Sequence, residues 1–330
     1  MTVAVALLAY ATGAGTLGPR LLGQARWTQR APLLGIVICL AAAWSVVAAA
    51  GLAGLTLAVH ATALGSGLSQ LIGACVIRLR DTYATPGGAL VAGLGLALAA
   101  AVVTRTAVAA ATHLRAVRRH ARQHAQAVRL VGRPEPALDA MLVEHPQAAA
   151  YCVAGPDPTV IVTTAALQAL DPGQLAAVLA HERAHLAWHH HRLVALARIA
   201  QQLLPFLPLM RAAAGQVARL VELHADDTAT AAHDTRTLAT ALVVLAERGG
   251  LAPAPAVNEL VAPGLGATGM TAAGAEALQR IQRMLRPAQP LSRLRRQLLR
   301  AGAAGLALTP LLLALAPAVV ALALGRVPAA

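Results

Sequence analysis

Two histidines and a glutamate occupy consecutive turns of one predicted helix, in the segment His181-Glu-Arg-Ala-His185. Residues four apart on an α-helix share one face, so both imidazoles can reach a single metal ion. Imidazole nitrogens are typical zinc ligands, and a catalytic zinc ion has three protein ligands and one open position. Glu182 projects about 100° round the helix, where it can act as general base toward an attacking water. The segment therefore predicts a zinc-dependent hydrolytic site, with Glu182 as the catalytic residue.

The third zinc ligand can come from either of two places. Glu222 lies on a second predicted helix, and Asp226, one turn later, can hold a ligand histidine by its outer ring nitrogen. His191 matches instead the third histidine of the pattern HExxHxxGxxH. That pattern needs a sharp turn at its glycine, where this sequence has Trp188. We therefore predict Glu222 as the third ligand, and interpret His191 and the two histidines before it as a polar patch beyond the site.

Stabilisation of a tetrahedral oxyanion requires a further hydrogen-bond donor or cation. His224, His233 and Arg236 are the candidates by position, although for each taken alone a surface position on a helix is the better interpretation. The cysteines form neither a disulfide framework nor a CxxC metal pair. Zinc is accordingly the only cofactor that the sequence indicates.

Helices and strands must position these side chains. The segment 171–174, Asp-Pro-Gly-Gln, is typical of a helix start with an N-cap, an early proline and a capping-box glutamine. We expect one long helix from there to about residue 200, and the second helix at about 212–232. Residues 148–154 and 159–163 predict short strands around a Gly-Pro-Asp-Pro turn. Together these elements predict an α+β domain.

The composition is typical of a membrane protein. Of 330 residues, 57% are hydrophobic and 12% are charged, whereas a soluble domain has about 25% charged residues. The same hydrophobicity excludes intrinsic disorder. The net charge of +13 favours either nucleic acid or an anionic membrane as a partner. Because only 2% of residues are aromatic and able to stack on bases, we expect membrane lipids as partners and no direct nucleic-acid contact.

Four stretches reach or approach the roughly 20 apolar residues that cross a bilayer. They are 3–17, 33–59, 87–104 and 301–324. The first lacks the charged start of a signal peptide, and membrane helices tolerate the two prolines of the fourth. We therefore predict a mainly α membrane protein with four transmembrane helices. Three spans lie in residues 1–104, a cytoplasmic domain in 105–300, and the fourth span with a short external tail in 301–330.

Arginine is concentrated at one end of these spans, which sets their orientation by the positive-inside rule. Fourteen arginines lie on this side, at positions 20, 26, 30, 105, 115, 118, 119, 122, 283, 286, 293, 295, 296 and 300. Only Arg78, Arg80 and Arg326 lie on the other side. We therefore expect an external N-terminus, an external segment 60–86 and a cytoplasmic active site. The absence of lysine indicates a GC-rich coding bias, and hence the inner or plasma membrane of a bacterium.

These features resemble the M56 membrane metallopeptidases, which are related to bacterial beta-lactam sensor-transducers, and the related M48 peptidases. The resemblance rests on Val-Leu-Ala ahead of His181, on Glu222-x-x-Ala-Asp226, and on three spans before the site with one after it. The strands ahead of the active helix and the segment 279–285, which begins Gln-Arg-Ile, are also similar to the family pattern. The resemblance covers most of the chain.

The resemblance implies a gluzincin-like zinc endopeptidase, with His181, His185 and Glu222 as ligands and Glu182 as base. Because the sequence ends at residue 330, we expect no external penicillin-binding domain. The implied substrate is a cytoplasmic regulatory protein, for example a winged-helix transcriptional repressor. Two alternatives are a quality-control protease for misfolded membrane proteins, as in M48 relatives, and a non-catalytic membrane signalling scaffold. The intact Glu182 counts against a scaffold, and the oligomeric state stays open.

Overall fold

The computed structural model describes residues 2–58, 88–155, 157–248, 270–286 and 289–323. In chain order the helices are α1 (Thr2–Gly23), α2 (Pro32–Ala58), α3 (Gly88–Val131), α4 (Thr164–Ala169), α5 (Pro172–Ala187), α6 (His190–Leu203), α7 (Pro208–Thr230), α8 (Thr235–Arg248), α9 (Met270–Leu285) and α10 (Arg293–Ala323). The strands are β1 (Gly132–Glu135), β2 (Ala140–Val143), β3 (Ala150–Val153) and β4 (Thr159–Thr163). The described part of the chain is therefore mostly helical.

Four helices, α1, α2, α3 and α10, are long and apolar enough to cross a membrane. The prediction of four apolar spanning helices is confirmed to that extent. The predicted external segment 60–86 and the C-terminal tail from residue 324 lie outside the described residues. Helix α2 is central, because it contacts α1, α3, α6, α7 and α10.

Helix α3 is longer than the span predicted at 87–104. It continues without a break through the basic segment that follows, for 44 residues in all, or about 66 Å at 1.5 Å per residue. No glycine or proline occurs between residues 96 and 131, and alanine is frequent there, so nothing in the sequence ends the helix. Gly132, followed by Pro134, is the first signal that does. The helix therefore extends from the membrane part into the domain.

A four-stranded sheet follows α3, with the strand order β1-β2-β4-β3. Strands β3 and β4 confirm the two predicted strands and pair in antiparallel register. Strands β1 and β2 were not predicted, and Pro134 in β1 disfavours a strand because it has no N–H for the ladder. The edge position of β1 explains how a strand accommodates this proline, since the outer side of an edge strand needs no N–H donor.

The helix expected from residue 171 to about 200 is instead two helices, so this prediction was wrong. The start is as predicted, because Asp171 and Gln174 form a complete capping box. Helix α5 ends at Ala187, and α6 begins at His190 after a turn in which His189 has a left-handed backbone, with φ 50°. Histidine adopts this conformation more readily than most side chains. The turn therefore separates α5 from the following helix.

The buried residues form two main cores. Helices α6 and α7 pack with α1 and α2 in the first core. The sheet, α4, α5 and α8 share the second core. Helix α7 contributes to both, with Val217 in the first and Ala229 in the second. The residues predicted to bind metal lie on α5 and α7, between the two cores.

Candidate metal centre

Two buried helices supply the predicted metal ligands. His181 and His185 lie on α5, one turn apart, and both side chains are buried. Glu222 lies on α7, which packs against α5. The arrangement depends on the capping box that starts α5 and on the apolar faces that both helices bury. The structure therefore brings together three side chains that are 41 positions apart along the sequence at their extremes.

The three donor groups converge on one point. The Nε2 atoms of His181 and His185 lie 3.1 Å apart. Each of these atoms is 3.6 Å from an oxygen of the Glu222 carboxylate. A tetrahedral zinc ion with bonds of about 2.0–2.1 Å keeps its ligand atoms roughly 3.3 Å apart. The spacing and the two-nitrogen, one-oxygen donor set thus fit a zinc ion.

The outer ring nitrogens of the two histidines have different partners. Nδ1 of His181 lies 3.1 Å from Oδ1 of Asp226, which is itself buried. Nδ1 of His185 lies 2.9 Å from Nδ1 of His190, and Nε2 of His190 lies 3.0 Å from Nδ1 of His224. The outer nitrogen of one ligand histidine therefore faces a carboxylate, and that of the other faces a chain of two imidazoles.

His190 is a functional candidate that the sequence interpretation missed. It was predicted to belong to a polar patch beyond the site with His189 and His191, but it is 0% exposed and contacts the ligand His185. The turn at His189 separates α5 from α6 and places His190 against His185. The prediction was wrong because it assumed one continuous helix. A run of three histidines gives no indication of which of them points inward.

Arg280 on α9 is a second candidate without a predicted role. It donates to both oxygens of Asp226, at 2.9 and 2.7 Å, and lies 3.1 Å from Glu222. Its Nη2 also lies 3.4 Å from Nε2 of His181. The only signal in the sequence was the similarity of the segment 279–285 to the family pattern.

The charges around the ligands favour a divalent cation. Burial acts to raise the pKa of Glu222, but His185 and Arg280 outweigh it and hold this pKa far below its usual range. For Asp226, Arg280 likewise overcomes burial and lowers the pKa to about 2. Its carboxylate partners overcome burial and raise the pKa of Arg280. With Glu182 ionised and both ligand histidines neutral, as metal binding requires, three carboxylates and one guanidinium leave a net charge of −2.

The two ligand histidines differ in proton affinity. Burial acts to lower the pKa of His181, but hydrogen bonds to Asp226 and Glu222 raise it to about 9. Burial lowers the pKa of His185 to about 4. Without a metal ion, His181 therefore carries a proton at neutral pH and His185 does not. Because a metal ion binds the neutral imidazole, its binding must release the proton of His181.

Glu182 has the protonation behaviour of a general base. Burial raises its pKa to about 7, and the nearby His181 opposes the rise. Cys152 on β3 lies beside this carboxylate, and burial, together with the negative charge of Glu182, keeps the thiol pKa well above its usual range. The thiol therefore stays protonated and can donate to Glu182. The scattered cysteines gave no sequence signal for this contact.

The remaining predicted candidates lie outside the ligand cluster. His224 hydrogen-bonds to His190 and packs edge-on against Trp188. Within the described residues, the side chains of His233 and Arg236 make no hydrogen bond or ion pair with the ligand residues. His224 is therefore engaged with His190 and Trp188. The structure brings neither His233 nor Arg236 to the metal ligands.

Strand β3 is an edge of the sheet and packs beside α5. The N–H of Thr163 donates to the carbonyl of Ala149, and the hydrogen-bonding direction alternates along an antiparallel pair. Tyr151 and Val153 therefore face β4, whereas Ala150 and Cys152 present their N–H and C=O groups at the outer edge. This edge lies on the side of the strand away from β4 and offers two residues for pairing with an extended peptide.

The comparisons with known proteins give one match. The family model described as Peptidase family M48 matches residues 113–300, which is more than half of the chain. No curated protein and no solved structure matches the chain. The matched region includes α5, α7 and α9, and therefore His181, Glu182, His185, Glu222 and Arg280. Of the two families that the sequence resembles, M48 is the one that the match supports.

Proposed function

This chain belongs to peptidase family M48, and we propose that it is a membrane-bound zinc endopeptidase that hydrolyses peptide bonds of protein substrates. The observation that carries the proposal is the convergence of His181, His185 and Glu222 with Glu182 beside them. A bound zinc ion would polarise the scissile carbonyl and make the attacking water more acidic. His181, His185 and Glu222 would hold it, and Asp226 fixes the ring of His181.

Glu182 performs the proton transfers in this proposal. Its raised pKa, about 7, allows it to take a proton from water and then give it to the leaving amine at neutral pH. The protonated Cys152 thiol beside this carboxylate can donate a hydrogen bond to it. This work requires a carboxylate next to the ligands, whereas a purely structural metal site does not need a general base. The non-catalytic scaffold is therefore the weakest alternative.

Replacing Glu182 by glutamine tests the proposal. Glutamine has nearly the same shape but cannot accept the proton of water, and general base catalysis contributes about 10²–10⁴-fold to the rate. We expect Glu182→Gln to retain zinc, measured by elemental analysis, while cleavage of a casein-type substrate is lost. The matched control is Glu247→Gln, an exposed glutamate on α8, which should keep both. Cleavage by Glu182→Gln at the unaltered rate would refute the role.

We also propose that substrate binds as an extended strand along the outer edge of β3. Main-chain pairing with a sheet edge gives affinity with little demand on side-chain identity. Ala150 and Cys152 provide the free N–H and C=O groups, and the contact of Cys152 with Glu182 places this edge at the catalytic carboxylate. A peptide on this edge would thus run past the general base.

The side of the membrane on which the active site lies determines which substrates can reach it, and the distribution of arginines supports one topology. We propose an external N-terminus and a cytoplasmic active site in the inner or plasma membrane of a bacterium. Arg283 donates to the carbonyl of Gln29 and pairs with Asp227. The loop between α1 and α2 therefore lies on the same side as the peptidase site, and this loop contains Arg26 and Arg30.

Two substrates are compatible with a cytoplasmic site. The resemblance to M56 favours a regulatory protein such as a winged-helix repressor, whereas membership of M48 favours quality control of misfolded membrane proteins. Comparison of the proteomes of wild-type and Glu182→Ala cells separates them. A single cleaved product that disappears in the variant supports a regulatory substrate. Accumulation of many membrane proteins supports quality control.

A further inference from the structure

The loop between α6 and α7 is apolar and exposes its central side chain, and we propose that it inserts into the interfacial layer of an anionic phospholipid bilayer. We call residues 204–208, Leu-Pro-Phe-Leu-Pro, the hairpin loop. Phe206, the only phenylalanine of the chain, is 74% exposed. Pro205 and Pro208 on either side are exposed as well. Phe206 therefore presents a large apolar side chain that the described part of the chain leaves largely uncovered.

Contacts with two spanning helices place the hairpin loop at the membrane boundary. Leu207 packs so closely on α1 that a Cβ at Gly15 would lie 3.0 Å from it, and Leu209 packs on Gly18 in the same way. Gly15 and Gly18 lie at the end of the apolar stretch 3–17. The loop is thus held against the end of the first span, on the arginine-rich side.

An independent contact with the third span places the hairpin loop at the same depth in the bilayer. Arg105, the first charged residue after the apolar stretch 87–104, donates from Nη2 to the carbonyl of Gln202 at 3.2 Å. Gln202 lies two residues before the hairpin loop, near the end of α6. The loop is therefore adjacent to the ends of two spans, where hydrocarbon meets the headgroups. Apolar side chains at this depth are buried in lipid rather than in water.

The charge of the residues around the hairpin loop indicates which lipid headgroups it contacts. Residues 190–221, which include α6, the hairpin loop and most of α7, contain four arginines and no aspartate or glutamate. Arg20, Arg105 and Arg211 are exposed close to the loop in sequence or through the contacts above. Arginines beside an inserted apolar side chain attract the phosphates of anionic lipids. A protein partner would need matching acidic groups, whereas the bilayer is already in contact with the neighbouring spans.

Insertion of the loop would also affect the metal site, a consequence that rests on the proposed function. Helix α7 begins at Pro208, the last residue of the hairpin loop, and carries Glu222. Lipid contact at Phe206 would thus hold the start of the helix that supplies the third ligand. The insertion itself does not depend on catalysis, so it can be measured in the inactive Glu182→Gln variant.

Site-specific photo-cross-linking tests the insertion. The full chain, with the photoreactive residue benzoylphenylalanine in place of Phe206, is placed in nanodiscs of phosphatidylcholine with phosphatidylglycerol and irradiated. The matched control carries the same residue at Leu278, which is 55% exposed on α9. We expect phospholipid adducts at 206, detected by mass spectrometry, and none above background at 278. Equal adducts at both positions, or none at 206, would overturn the proposal.

The choice of anionic lipid is tested separately. The adduct yield at 206 should fall when phosphatidylglycerol is omitted, and Arg211→Gln should reduce the yield in anionic nanodiscs toward the value in neutral ones. Equal yields in neutral and anionic nanodiscs would refute the part assigned to the arginines. A cross-link to a co-purified protein instead of lipid would overturn the membrane assignment. Zinc content, measured alongside, shows whether either variant has lost its fold.

Discussion

His190 is expected to control metal affinity although it does not touch the metal ion. When Nε2 of His185 binds a metal ion, its Nδ1 must carry the hydrogen and donate to Nδ1 of His190, 2.9 Å away. His190 then carries its own hydrogen on Nε2 and donates to His224 at 3.0 Å. Metal binding thus fixes one tautomer along the whole chain of imidazoles. His190→Ala removes the acceptor that orients the ligand ring.

The expected loss of zinc affinity follows from the burial of His190. Because His190 is 0% exposed, water cannot easily replace it, and the Nδ1–H of His185 would be left unpaired at a cost of about 1–3 kcal/mol. Loss of a partner that orients a metal ligand typically lowers metal affinity by about 10–100-fold, and about 1.4 kcal/mol corresponds to each factor of ten. The two estimates agree. We therefore expect His190→Ala to bind zinc about 10–100-fold more weakly.

Competition with a chromophoric chelator measures the zinc dissociation constant, and His191→Ala is the matched control. His191 is the adjacent histidine and makes no contact with the ligand residues within the described part of the chain, so its removal should leave the affinity unchanged. His190→Asn should restore most of the affinity, because its Oδ1 can accept from His185. The reasoning would be refuted if His190→Ala bound zinc as tightly as the wild type, or if the two alanine variants were equally impaired.

Three further predictions follow from the structure. Zinc affinity should rise by up to about tenfold per pH unit and level off near pH 9. The reason is the raised pKa of His181, about 9, below which zinc must compete with a proton for the imidazole. A zinc dissociation constant that does not change between pH 6 and 8 would contradict this. Ala150→Pro should fold but lose cleavage, because it removes an N–H at the outer edge of β3. Tyr151→Pro should instead disrupt the pairing of β3 with β4. If the two variants folded and cleaved alike, the assignment of the outer edge of β3 as the substrate site would be refuted. Reporter fusions near Gly155 should be cytoplasmic and those near Gly87 external, and the reverse labelling would overturn the topology.

Local signals predicted the parts of the site that lie within one element. The capping box at Asp171 predicted where α5 begins, and the four-residue spacing of His181 and His185 predicted that they share a face. These inferences depend only on helix geometry, which a few neighbouring residues determine. Glu222 required a further step, because its position beside α5 depends on how α7 packs. Its proximity in the structure agrees with the prediction, while its role as a ligand stays a prediction.

The features that the sequence did not predict depend on tertiary contacts. The turn between α5 and α6 contains neither glycine nor proline, so no local signal marks it. It leads His190 into a buried position against two other histidines. Arg280 reaches Asp226 across 54 positions of sequence, and spacing carries no information over such a distance. In both cases the side chain is identified by its partners and not by its neighbours in the chain.

The metal ligands come from two different cores, which links the site to the membrane helices. The histidines lie on α5, whose apolar residues pack with the sheet, whereas Glu222 lies on α7, whose earlier turns pack on α1 and α2. The close approach of Leu220 to Gly35 on α2 shows how tightly α7 is fitted there, because a Cβ at Gly35 would lie 2.9 Å from that side chain. A shift of α7 relative to α5 would separate the ligand atoms, which now lie within 4.8 Å of one another. Packing of α1 and α2 on α7 is therefore part of what assembles the site.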